Sequence, residues 1–150
     1  MMNTVFAVRS VSAIACTFLL AGIDPAAVEQ QKKPSITIRA NPAAGFSPLR
    51  VVFTAELKGG SDDFKEFYCP TIEWDWGDDT RAESTADCEP YEEGKSEIRR
   101  RYTVTRVFET AGNFKVAFRL KQKDKVVGSS STTVQVRPGL RDICCDDQVH

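Results

Sequence analysis

Five cysteines, four pairs of adjacent acids and one histidine hold most of the reactive chemistry this 150-residue chain has to offer. The histidine is His150, the last residue, so a Ser-His-Asp or Cys-His relay cannot be built around it from an ordered core. Three of the acid pairs, Asp62-Asp63, Asp78-Asp79 and Glu92-Glu93, lie in the body of the chain, and Asp146-Asp147 follows the last two cysteines. Adjacent acids in strands and turns are ordinarily solvated, which sets aside a glycosidase-type acid/base pair, and the chain reads as non-enzymatic. Asp62, Asp63, Asp75, Asp78 and Asp79 offer oxygen ligands to Ca²⁺ should they converge at one end of the fold. No spaced ligand loop accompanies them, so turn capping is the favoured role. No metal site is assigned, and calcium is the one cofactor kept open.

The cysteines point to a compartment. Cys16 lies in an apolar run, Val11 to Gly22, which follows Arg9 and precedes the small-residue segment Asp24-Pro25-Ala26-Ala27. Charge, apolar run and small residues in that order are the pattern of a secretory signal, assigned to 1–27 with cleavage between about Ala21 and Ala27. The run falls short of the roughly 20 residues a membrane-spanning helix needs. An uncleaved anchor is a rival reading. Lipid attachment at Cys16 is another, but Thr17-Phe18-Leu19-Leu20 carries the apolar run past the cysteine. Loss of Cys16 leaves Cys69, Cys88, Cys144 and Cys145, and an even count in an exported chain suggests disulfides. Formal net charge is -1, from 20 basic and 21 acidic residues, which leaves no electrostatic footprint for nucleic acid or anionic lipid.

Strands must position these groups. Ile36 and Ile38 alternate with polar neighbours, Val51, Phe53, Ala55 and Leu57 share one face, and Trp74 and Trp76 share another, with Glu73 and Asp75 opposite. Phe114, Val116, Phe118 and Leu120 form the cleanest alternation, a strand runs from about Ile98 to Phe108, and Val134 with Val136 makes the last. A period of two is that of half-buried strands. Turn chemistry separates them at Asn41 to Gly45, Gly59 to Asp63, Gly77 to Thr80 and Pro138-Gly139. No window has useful helical spacing. The expected organisation is a 28–34 linker, one all-β domain over 35–137 and a polar tail over 138–150 with vicinal cysteines.

The segment Trp74-Asp75-Trp76-Gly77-Asp78-Asp79-Thr80 resembles the W-D-F-G-D-G-T/S hallmark of the PKD domain family. Arg106 to Val116 is similar to the family's H-x-Y-x-x-P-G-x-Y-x-V, and Ala40-Asn41-Pro42 with Ser47 to Phe53 looks like its first two strands. The resemblance implies an immunoglobulin-like, two-sheet antiparallel β-sandwich of about seven strands. It gives Trp74, Asp75, Trp76, Gly77, Asp78, Gly112 and Phe114 architectural roles. Asp79 replaces the family's usual Gly, a substitution that a left-handed turn position tolerates. Phe108 and Phe114 stand where the family prefers Tyr, and Ala111 where it has Pro.

Cys69 lies nine residues before Asp78, and Cys88 nine after Asp79. A hairpin turning at these aspartates brings the two cysteines opposite each other, at a separation a disulfide spans. Cys144 and Cys145 fit a metal site poorly and suit intermolecular disulfides or a strained vicinal bond. The loop from Lys58 to Pro70 carries Phe64, Phe67 and Tyr68. These rings are either a recognition surface or a satellite of the core. Arg99-Arg100-Arg101 with Arg106 reads as a solvated, guarded strand edge.

The resemblance implies a secreted or cell-surface non-catalytic module, in periplasm, on the surface or outside the cell, that contacts an extracellular protein or carbohydrate. It has no nucleic-acid partner and no stable membrane span in the mature form. A structural protein assembled through Cys144 and Cys145 is the alternative, and a small secreted enzyme or inhibitor a third reading.

Overall fold

The computed structural model describes residues 32–140. The expected signal peptide with Cys16, the first residues of the linker, and Cys144, Cys145 and His150 lie outside the described residues.

Two sheets face each other. The smaller has the order β1 (Ser35–Asn41), β3 (Leu49–Lys58), β6 (Arg101–Phe108). The larger has the order β2 (Ala44–Phe46), β8 (Lys125–Arg137), β7 (Gly112–Gln122), β4 (Thr71–Asp75), β5 (Arg81–Ser84). The expected all-β two-sheet sandwich is the observed architecture. Every pairing is antiparallel except the short parallel one between β2 and β8.

The alternating pattern decides which faces meet. Val51, Phe53, Ala55 and Leu57 of β3 point inward, as do Val116, Phe118 and Leu120 of β7. Phe53 lies between the sheets with its ring centroid 6.1 Å from Trp74 and 5.8 Å from Trp76. The two indoles stack at 5.9 Å, nearly parallel. Phe108 and Phe114, at the tyrosine positions of the resembled family, pack on each other at 4.5 Å.

Eight strands stand among the described residues where about seven were expected. β2 and β5 are the ones the alternation did not show, and β2 lies in a stretch whose Asn, Pro and Gly read as turn. It is held by two main-chain bonds, Gln135 N–H to Ala43 O at 2.9 Å and Ser47 N–H to Arg137 O at 3.0 Å. β6 begins at Arg101 and not at Ile98, although Ile98 is buried and its N–H reaches Asp62 O at 2.8 Å. β8 runs for 13 residues, because β7 templates the Gly-Ser-Ser-Ser-Thr-Thr stretch that shows no apolar alternation of its own.

Gly128 of β8 faces the core where Ile36 and Phe67 crowd in. A Cβ there would lie 2.6 Å from Ile36 Cδ1 and 2.9 Å from Phe67 Cζ. β1 and β8 run side by side in the same direction, with Lys33 Nζ donating to Val127 O at 2.6 Å near their starts. The described chain therefore enters the sandwich at one end and leaves at the other.

Gly128→Ala should destabilise the domain by about 1–2 kcal/mol through overpacking against the Phe67 ring, read as a lowered urea midpoint at unchanged slope. An unchanged midpoint would show that Ile36 and Phe67 yield without cost.

Candidate functional site

The turn after β4 is built as its residue types dictate. Gly77 has φ +75° and Asp79 φ +63°, both left-handed. A Cβ on Gly77 would meet the Lys115 backbone at 2.8 Å. Asp75 Oδ1 accepts from Gly77 N–H at 3.2 Å, and Asp78 Oδ1 accepts from Thr80 N–H at 3.1 Å and from the Thr80 hydroxyl. Arg106, on the inner side of β6, donates from Nη2 to Asp78 Oδ2 at 2.9 Å and lies 5.2 Å over the Trp76 ring. Burial pushes the Asp78 carboxyl up, but the Thr80 and Arg106 donors outweigh it and hold it below its ordinary range. Gly77 N–H holds Asp75 down in the same way, against burial and with help from Arg119.

At the base of the same hairpin Cys69 and Cys88 are joined as a disulfide, with Cα atoms 6.1 Å apart. Regular pairing ends at Ile72 opposite Ser84, so the bridge ties down a segment the ladder has already released. Closing such a loop stabilises by about 3 kcal/mol in the chain-entropy picture.

Of the two readings of the aromatic loop, Phe64 and Phe67 take that of a satellite of the core. Phe67 is fully buried and Phe64 buried beside it, their rings edge to face at 5.1 Å. The Phe67 ring fills the gap beneath Gly128, Phe64 packs on it, and both belong to the core cluster. Tyr68 is half-buried, packs on Tyr91 at 5.5 Å and donates its hydroxyl to Glu89 O at 2.9 Å.

The five aspartates do not converge. Asp62 receives Arg100 Nε at 2.8 Å, and Asp63 receives Gly94 N–H at 3.2 Å, near the Lys58 end of β3. Asp75, Asp78 and Asp79 sit at the opposite end. Among the described residues no group of three His, Cys, Asp or Glu side chains is placed to share a metal ion.

Glu73, on the face opposite the tryptophans as the alternation predicts, is the hub of a charge ladder on the outer face of the larger sheet. Arg119 Nη1 bonds Glu73 Oε1 and reaches Asp75 at 3.1 Å, while Lys121 Nζ spans Glu73 at 3.1 Å and Glu83 at 2.6 Å. The Arg119 bond, together with Lys121 and against burial, pulls the Glu73 carboxyl down to about 2. Its side chain is only 7% exposed.

The remaining feature is the side of the sandwich where β5 ends one sheet and β6 ends the other. Arg106–Asp78 closes its upper end and the disulfide its lower end. Between them lies a cavity of 230 Å³, lined by Ile72, Trp74, Ala82, Ser84, Tyr102 and Val104. A second of 160 Å³, beside the disulfide, shares Ile72, Arg99 and Tyr102 with it. The Tyr102 hydroxyl and Arg106 Nε are buried without a hydrogen-bond partner, and burial pushes the Tyr102 phenol up. Arg99 lies 5.0 Å over the Tyr102 ring. The basic run is otherwise spent on structure: Arg101 pairs with Glu56 at 2.6 Å, and Arg100 Nη1 caps Gly59 O at 2.8 Å. Tyr102 was hidden in the sequence because its spacing from Val104 and Phe108 reads simply as core.

No protein-family model matches the chain, and no curated protein matches it. Among solved structures it is similar to the PKD domain of an M14-like peptidase from a Thermoplasmatales archaeon. The TM-score is 0.48 at 13% identity, over 73% of this chain and 99% of that one. It is also similar to a superoxide reductase (neelaredoxin) from Ignicoccus hospitalis, with TM-score 0.41 and 11% identity over 74% of this chain and 86% of that one. These are distant likenesses of fold, and neither transfers a site.

Phe67→Ala should cost about 3–4 kcal/mol of stability, whereas a surface ring would cost little; equilibrium denaturation decides. Glu73 predicts an acid limb. Its folded value lies below the ordinary 4.5, so its stabilisation is complete above that pH and drains away as pH falls from about 4.5 towards 2. Glu73→Gln should flatten that limb by on the order of 2 kcal/mol. An identical limb in the variant would assign the loss to other carboxylates.

Proposed function

We propose that the chain is an exported, non-catalytic PKD-like module that makes protein–protein or protein–carbohydrate contacts at the cell surface or beyond. The observation that carries this reading is the Cys69–Cys88 disulfide, which closes the base of the β4–β5 hairpin in a small two-sheet sandwich. Disulfides persist in oxidising compartments and stabilise small exported domains. The charge-relay-to-pocket geometry of an enzyme is not what the carboxylates serve. Asp75 and Asp78 cap a turn, Asp62 and Asp63 anchor loops, and Glu73 binds Arg119 and Lys121. Such groups are locked by their partners, whereas acid/base work needs one that exchanges protons near neutral pH.

The Trp-Asp-Trp-Gly-Asp hallmark supports the family reading through its mechanics. Its two aspartates cap the turn through Oδ1 and tie the hairpin to β6 and β7 through Oδ2, so the motif carries the frame while contact falls to the edges and loops. No helix among the described residues is long and apolar enough to cross a membrane.

Expression of the full chain in a secreting host is the test. The product should be cleaved between about Ala21 and Ala27, and non-reducing peptide mapping should recover a Cys69–Cys88 linked pair. An uncleaved product with free thiols overturns the export reading. A disulfide-linked oligomer through Cys144 or Cys145 would move the assignment to an assembly protein. Substrate turnover in a hydrolase panel would overturn the non-catalytic reading.

A further inference from the structure

We propose that the side between β5 and β6 is a peptide groove: an extended segment of a partner protein adds to β5 as a further strand, with an acidic side chain against Tyr102 and Arg99. The proposal rests on the contact-module reading and gives it a surface and a partner chemistry.

Strand addition needs a free edge with main-chain groups turned outward. Trp76 N–H bonds Thr80 O at 3.1 Å. Antiparallel alternation from that pair turns the N–H and C=O of Arg81 and Glu83 away from β4, towards the free edge. All four residues of β5 are exposed. Edges are ordinarily guarded by charged side chains. Here both are drawn to the outer face, Arg81 to Asp75 at 3.4 Å and Glu83 to Lys121 at 2.6 Å. The register sets Ala82 opposite Trp74 and Ser84 opposite Ile72. On the inner face the edge carries the small Ala82 and Ser84, with Glu83 bordering the cavity while paired to Lys121, which leaves room for an incoming side chain.

The polar groups along the groove ask for acceptors. Tyr102 is 3% exposed, its hydroxyl has no partner, and it lines both cavities. Leaving such a group unpaired costs about 1–3 kcal/mol, which a bound acceptor would recover. Arg99 spends Nε on Arg101 O at 2.9 Å, lines the same two cavities and makes no ion pair within the described residues. Arg106 Nε is the further unpaired donor at the turn end. Of the carboxylates at the groove, Glu83 is held by Lys121, and Glu97 lies towards the disulfide. A carboxylate entering between Tyr102 and Arg99 would meet a hydroxyl donor and a guanidinium together, a charge-assisted arrangement. A sugar is the poorer fit. Sugar stacking needs an open aromatic face, and Trp74 and Trp76 are 6% and 3% exposed.

Short random peptides displayed on phage, selected against the full chain with its disulfide intact, test this. Enriched peptides should carry Asp or Glu among alternating β-branched residues. Binding of a synthetic copy should weaken about ten-fold or more in Tyr102→Phe and in Arg99→Gln. It should also slow amide exchange at Arg81 and Glu83. Tyr102→Phe removes an unpartnered hydroxyl, so its unfolding midpoint should stay level or rise, which separates binding from folding. The groove is wrong if no peptide is enriched, if enriched peptides lack an acid, or if Tyr102→Phe binds them unchanged. Glycan or protein binding that survives Tyr102→Phe and Arg99→Gln would also sink the groove while leaving the module reading intact. Failure of export would strike that reading alone.

Discussion

Phe53 touches both tryptophans of the facing sheet, and most of the fold can be traced from that contact. It requires β3 to be central in its sheet, because only a strand flanked on both sides presents Val51, Phe53, Ala55 and Leu57 as a continuous inner row. It requires Trp74 and Trp76 to project from one face of β4, which places Glu73 and Asp75 on the other. The charge ladder outside the larger sheet is thus the reverse side of the tryptophan stack. Aromatic pairs of this size dominate core energetics, so the polar architecture follows where they lead.

The sheets are unequal, and their two open sides are managed differently. Where β1 meets β8, a glycine permits close approach, and Phe67 plugs the gap from the loop that follows β3. Where β5 meets β6, Arg106 pairs with Asp78 at one end, and the disulfide at the base of the β4–β5 hairpin borders the other. The Arg106–Asp78 pair is about two-thirds buried on each side, where desolvation offsets much of the Coulombic gain. Its value is positional, since it also holds the guanidinium over Trp76 and the carboxylate in its turn. A side fastened at both ends and unfilled between them keeps a groove that tight packing would have erased.

Alternation made β1, β3, β4 and β7 legible in the sequence, because each has a face buried by apolar residues. β2, β5 and much of β8 escaped it for one reason: their pairing is imposed by neighbours and is not advertised by burial. β5 is exposed at every position, and the Ser and Thr residues of β8 alternate between half-buried and exposed with no apolar signal. The hairpin arithmetic around Asp78-Asp79 located the disulfide, since spacing alone decides which residues meet across a turn. Spacing could not decide where Phe64 and Phe67 go, because a loop has no period. Alternation gave Glu73 its face but not its partners; Arg119 and Lys121 are distant in sequence and close only through the β4–β7 register.

The parallel course of β1 and β8 has a mechanical consequence. Residue 32 lies at one pole of the sandwich and residue 140 at the other, so tension between them pulls these two strands in opposite senses along their own axes. Ladder hydrogen bonds run across the strands. A load along the strand therefore falls on every bond of the β1–β3 ladder at once and does not open them in succession. Built this way, the domain resists as a lap joint and not as a zipper.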